Sequence, residues 1–435
     1  MSIDKKNTLP RKGLQCTEVL AEGTPQDPYL FFDRFADITH FAEFKKLDKQ
    51  FRELEESGIN VPYFLPNEGS VRDITRIDGK EYISFSGYNY LGLAGDPRVN
   101  DYAIEKIQQY GTTVSASRIA SGERPLHTEL ETALADFLEC ESALTFVSGH
   151  ATNVSVIEHL TGSRDLIVYD ELAHNCILSG IALSGAKSIS FAHNDAADCK
   201  RVLETHRKDY ERVLIAIEGV YSMDGDIAPL DEFVELKRTF RTFLLVDEAH
   251  SVGVLGPTGK GIGQLQSIQR DDVDLWMGTF SKALASCGGY IAGKKKLIRY
   301  LRYTTPGFVY SVGISPANAA AALKSLELIQ SEPERIQKLH ENADYFLYGA
   351  QRAGFSTGSS QATPIIPIIL GDRLKTLLLS QALFDNGINV QPIIPPAVPF
   401  KKSRIRFFIT SCHTKEQLDY SLNVLAKSYQ EIARK

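Results

Sequence analysis

FLLVDEAHS, residues 243–251, decides the reading of the chain: an unbroken apolar run stops at Asp247, with Glu248 and His250 just beyond. A strand covered on both faces needs such a run, and open α/β sheets gather their chemistry at the carboxyl ends of strands. LWMGTFSKA, residues 275–283, repeats the layout, a short apolar run leading into Thr279, Ser281 and Lys282. FVSGHATN, residues 146–153, follows another run with a Ser-Gly turn that opens a helix and can offer backbone N–H groups to an anion. Each stretch also has a plainer account: a helix N-cap, a solvated lysine, an ordinary turn.

Outward from these stretches the pattern continues. Apolar runs at 143–147, 166–169, 213–217, 243–246 and 275–277 alternate with helix candidates at 126–138, 196–208 and 230–239. That alternation predicts an α/β fold with a mostly parallel sheet covered by helices. The last hundred residues read as a smaller α+β domain, with helices at 317–330, 374–384 and from Lys415, and apolar runs at 365–370 and 405–409. Upstream, Phe41, Phe44, Leu47, Phe51 and Leu54 recur at helical spacing over 37–56, as in an arm lying on the body or on a partner subunit. An Asp-Gly pair between β-prone runs predicts a hairpin over 74–85. The expected parts are an N-terminal helical arm and hairpin over 1–100, a large domain over 101–312 and a small C-terminal domain over 313–435.

The 435 residues are 43% hydrophobic and 23% charged, which excludes wholesale disorder, collagen-like repeats and coiled coil. Lys and Arg number 48 against 54 Asp and Glu, a net charge of −6, so no nucleic-acid partner is expected. No run is long and apolar enough to span a bilayer; the most tempting, 314–323, is interrupted by Pro316 and Asn318. Residues 1–13 are charged and lack the apolar core of a secretory leader. The six cysteines, at 16, 140, 176, 199, 287 and 412, form no CxxC pair and read as reduced thiols of a cytoplasmic protein. No zinc-like spacing appears, and no metal is expected.

A lysine able to form a Schiff base, an acid able to keep a pyridine nitrogen protonated and a phosphate cradle are together the needs of pyridoxal 5'-phosphate. The interval from Asp247 to Lys282 allows one strand–helix–strand excursion that returns both side chains to the same sheet edge.

At this point the chain resembles the α-oxoamine synthases, a family of fold-type I pyridoxal-phosphate transferases. The shared pieces run in family order: YNYLGL (88–93), Ser117-Arg118 with SGERPLH (121–127), FVSGHATN, DELAH (170–174) and EGVYSMDGDIAPL (218–230). VDEAHSVGVLGPTGKG (246–261), GTFSKALASCGGYIAG (278–293) and RIRFFITSCHT (404–414) follow. The resemblance implies that Lys282 carries the cofactor and later shuttles a proton at the substrate α-carbon. It implies that Asp247 pairs with the pyridine nitrogen, that His174 stacks on the ring and that His250 bonds the ring's phenolic oxygen, with Ser222 nearby. Gly149 and His150, with Thr279 and Ser281, would hold the phosphate, and Ser311 would reach the phosphate in the neighbouring subunit of a homodimer. Asn89 and Arg406 would hold the substrate carboxylate.

The implied reaction joins an α-amino acid to an acyl thioester, releasing a thiol and CO2 and leaving an α-amino ketone. The acyl donor is addressed by departures from the family pattern. YGTTVSASR (110–118) is less glycine-rich than in relatives using free coenzyme A esters, and Ala397 stands where biotin-pathway relatives carry threonine. SGERPLH and SGHATNV look most like α-oxoamine synthase domains of polyketide assembly lines, which implies a carrier-bound acyl chain. Docking an acidic carrier would call for a local basic patch, for which 294–296 and 401–406 are candidates. The competing readings are an aminotransferase or aldolase of the same fold, and a catalytically silent scaffold.

Overall fold

The computed structural model describes residues 32–361 and 363–433; the charged start at 1–13 and Cys16 lie outside the described residues. Its strands are β1 (Ile74–Ile77), β2 (Lys80–Ser84), β3 (Ser142–Phe146), β4 (Leu166–Asp170), β5 (Lys187–Phe191), β6 (Val213–Glu218) and β7 (Phe243–Asp247). They continue with β8 (Leu275–Thr279), β9 (Gly289–Gly293), β10 (Ile365–Gly371), β11 (Ile388–Asn389), β12 (Gln391–Ile393) and β13 (Ser403–Phe408).

The centre is a seven-stranded sheet in the order β3-β9-β8-β7-β6-β4-β5, parallel except for β9, which runs against both neighbours. Alternate side chains leave a strand on opposite faces, so the apolar runs divide between two cores. Ile215, Ile217, Leu244 and Val246 pack with helices Pro125–Leu138, Ala196–His206, Leu230–Phe240 and Pro316–Ser331. Leu214, Ala216, Leu245 and Met277 pack with Gly149–Leu160, Asn175–Ser184 and Lys295–Thr304. Double coverage is why these strands read as unbroken apolar runs rather than alternating ones.

Two strands of the central sheet escaped the reading for definite reasons. β5 is an edge strand with the mixed sequence KSISF. β9 is GYIAG, in which a Cβ on Gly289 would come within 2.6 Å of the Gly149 Cα. Glycine is the cost of letting the two backbones touch. The excursion from β7 to β8 also differs from expectation, because its α-helical part is the single turn Ile262–Leu265.

Beyond residue 330, β10, β13 and β12 form an antiparallel sheet whose core joins Phe346, Ile366, Ile368, Leu379, Phe407 and Leu425. The expected hairpin forms, with Asp78 and Gly79 at φ 48° and 72°, the left-handed pair that a tight two-residue turn requires. It is not a separate N-terminal unit. β2 pairs with β11 (Ile83 opposite Ile388), and Phe85 meets Phe407 at 5.1 Å between ring centroids, so the hairpin belongs to the C-terminal layer. The arm helix begins at Ala42, while Asp37 caps a preceding short turn by accepting from the Thr39 N–H at 2.9 Å. The arm is tied down at its far end, where Leu54 packs with Ile59 and Leu377 and Glu53 pairs with Arg373 at 3.0 Å; Phe41, Leu47 and Phe51 are exposed.

Candidate active site

Parallel register aligns the carboxyl ends of the strands: Glu218 of β6 lies opposite Asp247 of β7, and Asp247 opposite Met277 of β8. Lys282 follows β8 by three residues, in a turn closed by the Ala285 N–H on the Lys282 carbonyl at 3.0 Å. Its ammonium lies 5.8 Å from the ring centroid of Tyr88. Desolvation lowers its pKa to about 8, although Asp247 and Glu218 pull the other way. A lysine so placed releases its proton far more readily than one in water, which is the activation a Schiff-base amine needs.

Asp247 is buried, and both its oxygens are in use. Oδ1 accepts from the Ala249 N–H at 2.9 Å and Oδ2 from Asn153 Nδ2 at 2.6 Å. The local N-cap-like bond and a long-range bond to helix Gly149–Leu160 thus share one carboxylate. Beside it, burial and then the Asp247 charge hold Glu218 well above the usual carboxylate range. Glu218 Oε1 accepts the His174 N–H at 2.6 Å and so sets where the histidine enters the site. Sequence reasoning gave Glu218 no role, though it ends the apolar run VLIAIE as Asp247 ends FLLVD.

His174 caps helix Asn175–Ser184 with Nδ1, which accepts the Cys176 N–H at 3.2 Å; its ring is exposed to the cleft. An accepting Nδ1 assigns the ring hydrogen to Nε2. His250 is fully enclosed, with Nδ1 2.7 Å from the Tyr90 hydroxyl. Burial drives its pKa well below the usual imidazole value, helped by the charges of Lys282 and Arg406. The same burial keeps Tyr90 protonated, so Tyr90 donates to Nδ1 and the Nε2–H of a neutral His250 is left for another acceptor.

Arg406 sits on β13 with 9% exposure, its guanidinium 4.5 Å from the Phe408 ring centroid. Nη1 donates to the Ser222 carbonyl at 2.6 Å, while Nε is buried with no partner among the described residues. A buried charged donor without an acceptor is costly, and the chemistry it fits is an anion entering the cleft.

Gly149 opens helix Gly149–Leu160, capped by Ser148 Oγ accepting from the Ala151 N–H at 3.0 Å. A Cβ on Gly149 would meet Thr279 Oγ1 at 2.9 Å, so the helix start lies directly against the end of β8. Thr279 Oγ1 donates to the Gly288 carbonyl at 2.9 Å and accepts the Ser281 N–H at 3.2 Å. Gly149, His150, Thr279 and Ser281 therefore share one corner of the cleft, with His150 and Ser281 exposed. Ser311 lines a crevice with Arg118, Phe146 and Phe308 and donates to the Val312 carbonyl at 3.2 Å.

Asn89 departs from its expected role. Its Nδ2 donates to the carbonyls of Val71 at 3.0 Å and Ala94 at 3.3 Å, and its Oδ1 accepts the Ala94 N–H at 3.1 Å. Both amide hydrogens are spent on backbone, and none is left for a substrate carboxylate. The first basic stretch lies away from the site. Gly293 pairs with Ser142 and Leu275 at the amino ends of their strands, so Lys294, Lys295 and Lys296 lie at the sheet edge opposite the site. In the second stretch Arg404 and Arg406 are buried, Arg404 held by Asp224 at 2.5 Å, leaving Lys401 and Lys402 exposed.

A second charged cluster adjoins the site. His193 Nδ1 lies 3.0 Å from Asp170 Oδ1 at the end of β4, and its Nε2 lies 2.7 Å from Asp226 Oδ2. Desolvation opposes its charge, but bonds to both carboxylates outweigh that and raise its pKa to about 10. Among the described residues no cluster of side chains forms a metal-binding group, and no helix is long and apolar enough to cross a membrane.

The residues present fit pyridoxal 5'-phosphate: an amine with a lowered pKa, a buried carboxylate one strand away, a helix start where only glycine fits and an unpartnered buried arginine N–H. The comparisons with known proteins agree. Residues 80–425 match the model of the family described as aminotransferase class I and II. The chain is 41% identical over 393 residues to 8-amino-7-oxononanoate synthase of Treponema denticola, covering 90% of this chain and 98% of that protein. It is 38% identical over 371 residues to serine palmitoyltransferase of Bacteroides thetaiotaomicron, covering 85% and 93%. A solved serine palmitoyltransferase variant from S. paucimobilis, with a bound PLP–myriocin aldimine, superposes with a TM-score of 0.88 at 29% identity over 92% of this chain and 100% of that one. The chain belongs to the aminotransferase class I and II family and, within it, to the α-oxoamine synthases, acyltransferases that use pyridoxal 5'-phosphate to form a carbon–carbon bond.

Proposed function

We propose that this chain is an α-oxoamine synthase that condenses an α-amino acid with an acyl thioester carried by a carrier protein. The observation that supports the condensation is the pairing of Lys282, its pKa lowered to about 8, with a buried Asp247 and an Arg406 whose Nε lacks an acceptor. The carrier rests on the sequence departures at 110–118 and Ala397 and on the SGERPLH and SGHATNV motifs. The bound cofactor supplies an electron sink for the pair of electrons left at the amino acid's α-carbon.

The protein's own residues have the following tasks. Lys282 captures the cofactor, gives way to the amino acid and takes the α-proton as a general base. Asp247 would hold the ring nitrogen and keep it protonated, and His174 would cover the ring. His250, neutral and with its Nδ1 occupied by Tyr90, would offer its Nε2–H to the cofactor's phenolic oxygen, with Ser222 nearby. The N–H groups of Gly149 and His150, with Thr279 and Ser281, take the phosphate. Ser311 serves the phosphate of the neighbouring subunit in a homodimer. Arg406 holds the substrate carboxylate.

The α-carbon would then attack the thioester carbonyl, the C–S bond would break and the thiolate would leave, taking its proton from solvent. The bond to the carboxylate breaks next, CO2 leaves, and Lys282 returns its proton to the α-carbon. Fixing that bond against the ring plane is a matter of orientation, which Arg406 supplies. The reading keeps a large domain over 101–312, extended by helix Pro316–Ser331, and a small C-terminal one beyond it that takes in the hairpin, with a reaction carried out in the cytoplasm and no nucleic-acid partner.

Turnover with matched acyl-carrier and acyl-coenzyme A donors tests the donor assignment. Preference for the carrier is expected; equal or better use of acyl-coenzyme A would overturn the carrier while leaving the condensation in place.

A further inference from the structure

We propose that Asn153 is a positioning residue that ties Asp247 to His174 and fixes both against the cofactor. Asn153 lies on helix Gly149–Leu160 and is wholly enclosed, with 0% exposure. Its Nδ2 donates to Asp247 Oδ2 at 2.6 Å and to Cys176 Sγ at 3.1 Å. Cys176 Sγ in turn lies 2.9 Å from His174 Nδ1. That nitrogen already accepts the Cys176 N–H, so it carries no hydrogen and the thiol hydrogen is directed at it. An unbroken chain of donors therefore runs outward from one amide, to the carboxylate on one side and through a thiol to the histidine on the other.

The cost of the arrangement shows that it is not ordinary core packing. Asn153 Oδ1 is buried without a partner among the described residues. Leucine would occupy about the same space and leave no orphaned acceptor. What leucine cannot do is bridge two acceptors from a helix that packs against the end of β8. With the Ala249 N–H on Oδ1 and Asn153 on Oδ2, the plane of the Asp247 carboxylate is fixed beside Glu218. Cys176 is not a nucleophile here: burial pushes its thiol far above the ordinary value.

This inference rests on the assignment of Asp247 to the ring nitrogen, and the test separates the two. Holoenzyme carrying Asn153→Leu, Asn153→Ser, Asp247→Asn, Cys176→Ala or Cys176→Ser is compared with wild type. The readouts are cofactor dissociation, the pH titration of the bound cofactor's yellow absorbance without amino acid, and kcat and KM for the amino acid. Loss of one charge-assisted donor should weaken cofactor binding about tenfold or more in both Asn153 variants. The absorbance titration should move the same way as in Asp247→Asn, and kcat should fall with KM little changed. Cys176→Ala, which cuts only the branch to His174, should lower kcat without moving the titration; Cys176→Ser restores a donor and an acceptor and should recover it. Wild-type cofactor affinity and titration in both Asn153 variants, with both altered in Asp247→Asn, would overturn the role of Asn153 alone. An Asp247→Asn protein that changes in neither readout would overturn the underlying assignment as well.

Discussion

Two clusters of acid and base sit side by side at the carboxyl ends of the central strands, and their difference separates chemistry from scaffolding. Asp170 ends β4 as Asp247 ends β7. Around Asp170 the charges are paired: His193 bridges it to Asp226, Asn194 and Leu172 add their N–H groups, and Ser359 donates to Asp226 at 3.0 Å. The result is an ionic staple on the loop 221–226, which the C-terminal unit also grips where Thr363 Oγ1 and the Gln361 N–H bond the Gly225 carbonyl. Around Asp247 the donors are neutral, the neighbouring lysine has a lowered pKa, and Arg406 keeps an unused N–H. Both clusters have strongly perturbed titration. The first leaves only acceptors unpartnered among the described residues, Asp226 Oδ1 and Asn194 Oδ1; the second leaves a cationic donor, Arg406 Nε, beside a lysine of lowered pKa, and that is the combination that receives an anionic ligand.

The largest effect that would test this contrast lies at Lys282. Lys282→Ala should bind cofactor without the yellow absorbance and lose roughly a hundred- to ten-thousand-fold in kcat from the missing proton shuttle alone. In wild type stripped of cofactor, the rate of cofactor capture should rise through a midpoint near pH 8, as the lowered pKa requires. A midpoint near 10.5 would place Lys282 among ordinary solvated lysines.

His193→Gln probes the other cluster. Removing the bridging cation strands two buried carboxylates, a loss of about 3–5 kcal/mol in unfolding stability, read from the denaturant midpoint. Because the folded-state pKa is raised from 6.5 to about 10, the stabilisation is fully present below about pH 6.5 and lost as pH rises toward 10. The gap between wild type and His193→Gln should therefore close with rising pH. A variant that instead keeps its stability and loses the cofactor's absorbance would make His193 part of the site.

How far this contrast could be read beforehand follows from particular residues. Asp247, His250 and Lys282 announce themselves because an apolar run followed at once by a charge is a local signal. So is the Ser-Gly turn before Gly149. Glu218 carries the same mark at the end of VLIAIE and was passed over; Asn153 and Cys176 carry none, since an amide and a thiol acquire meaning only when β6, β7 and two helix starts converge. Asn89 shows the converse: its motif pointed to a substrate contact, but the fold uses its amide to close the turn between Val71 and Ala94. The strands followed the same rule. Buried runs such as VLIAIE were legible, whereas GYIAG was not, because its glycines answer to a helix more than a hundred residues earlier.

Smaller effects sharpen the contrast around the substrate carboxylate. Arg406→Lys should raise the amino acid's KM roughly tenfold by replacing a planar fork with a point charge. Asn89→Ala should leave that KM unchanged and lower stability by about 1–2 kcal/mol through lost backbone bonds. A KM effect as large at Asn89 as at Arg406 would return Asn89 to the site.

The most direct test is to supply a panel of amino acids labelled with carbon-13 in the carboxyl group, with and without an acyl thioester, and to measure labelled CO2 and product mass. The expected result is CO2 released only when both substrates are present, matched one to one by an α-amino ketone and abolished in Lys282→Ala. Amino-group transfer without CO2, or CO2 from the amino acid alone, would contradict a decarboxylative condensation.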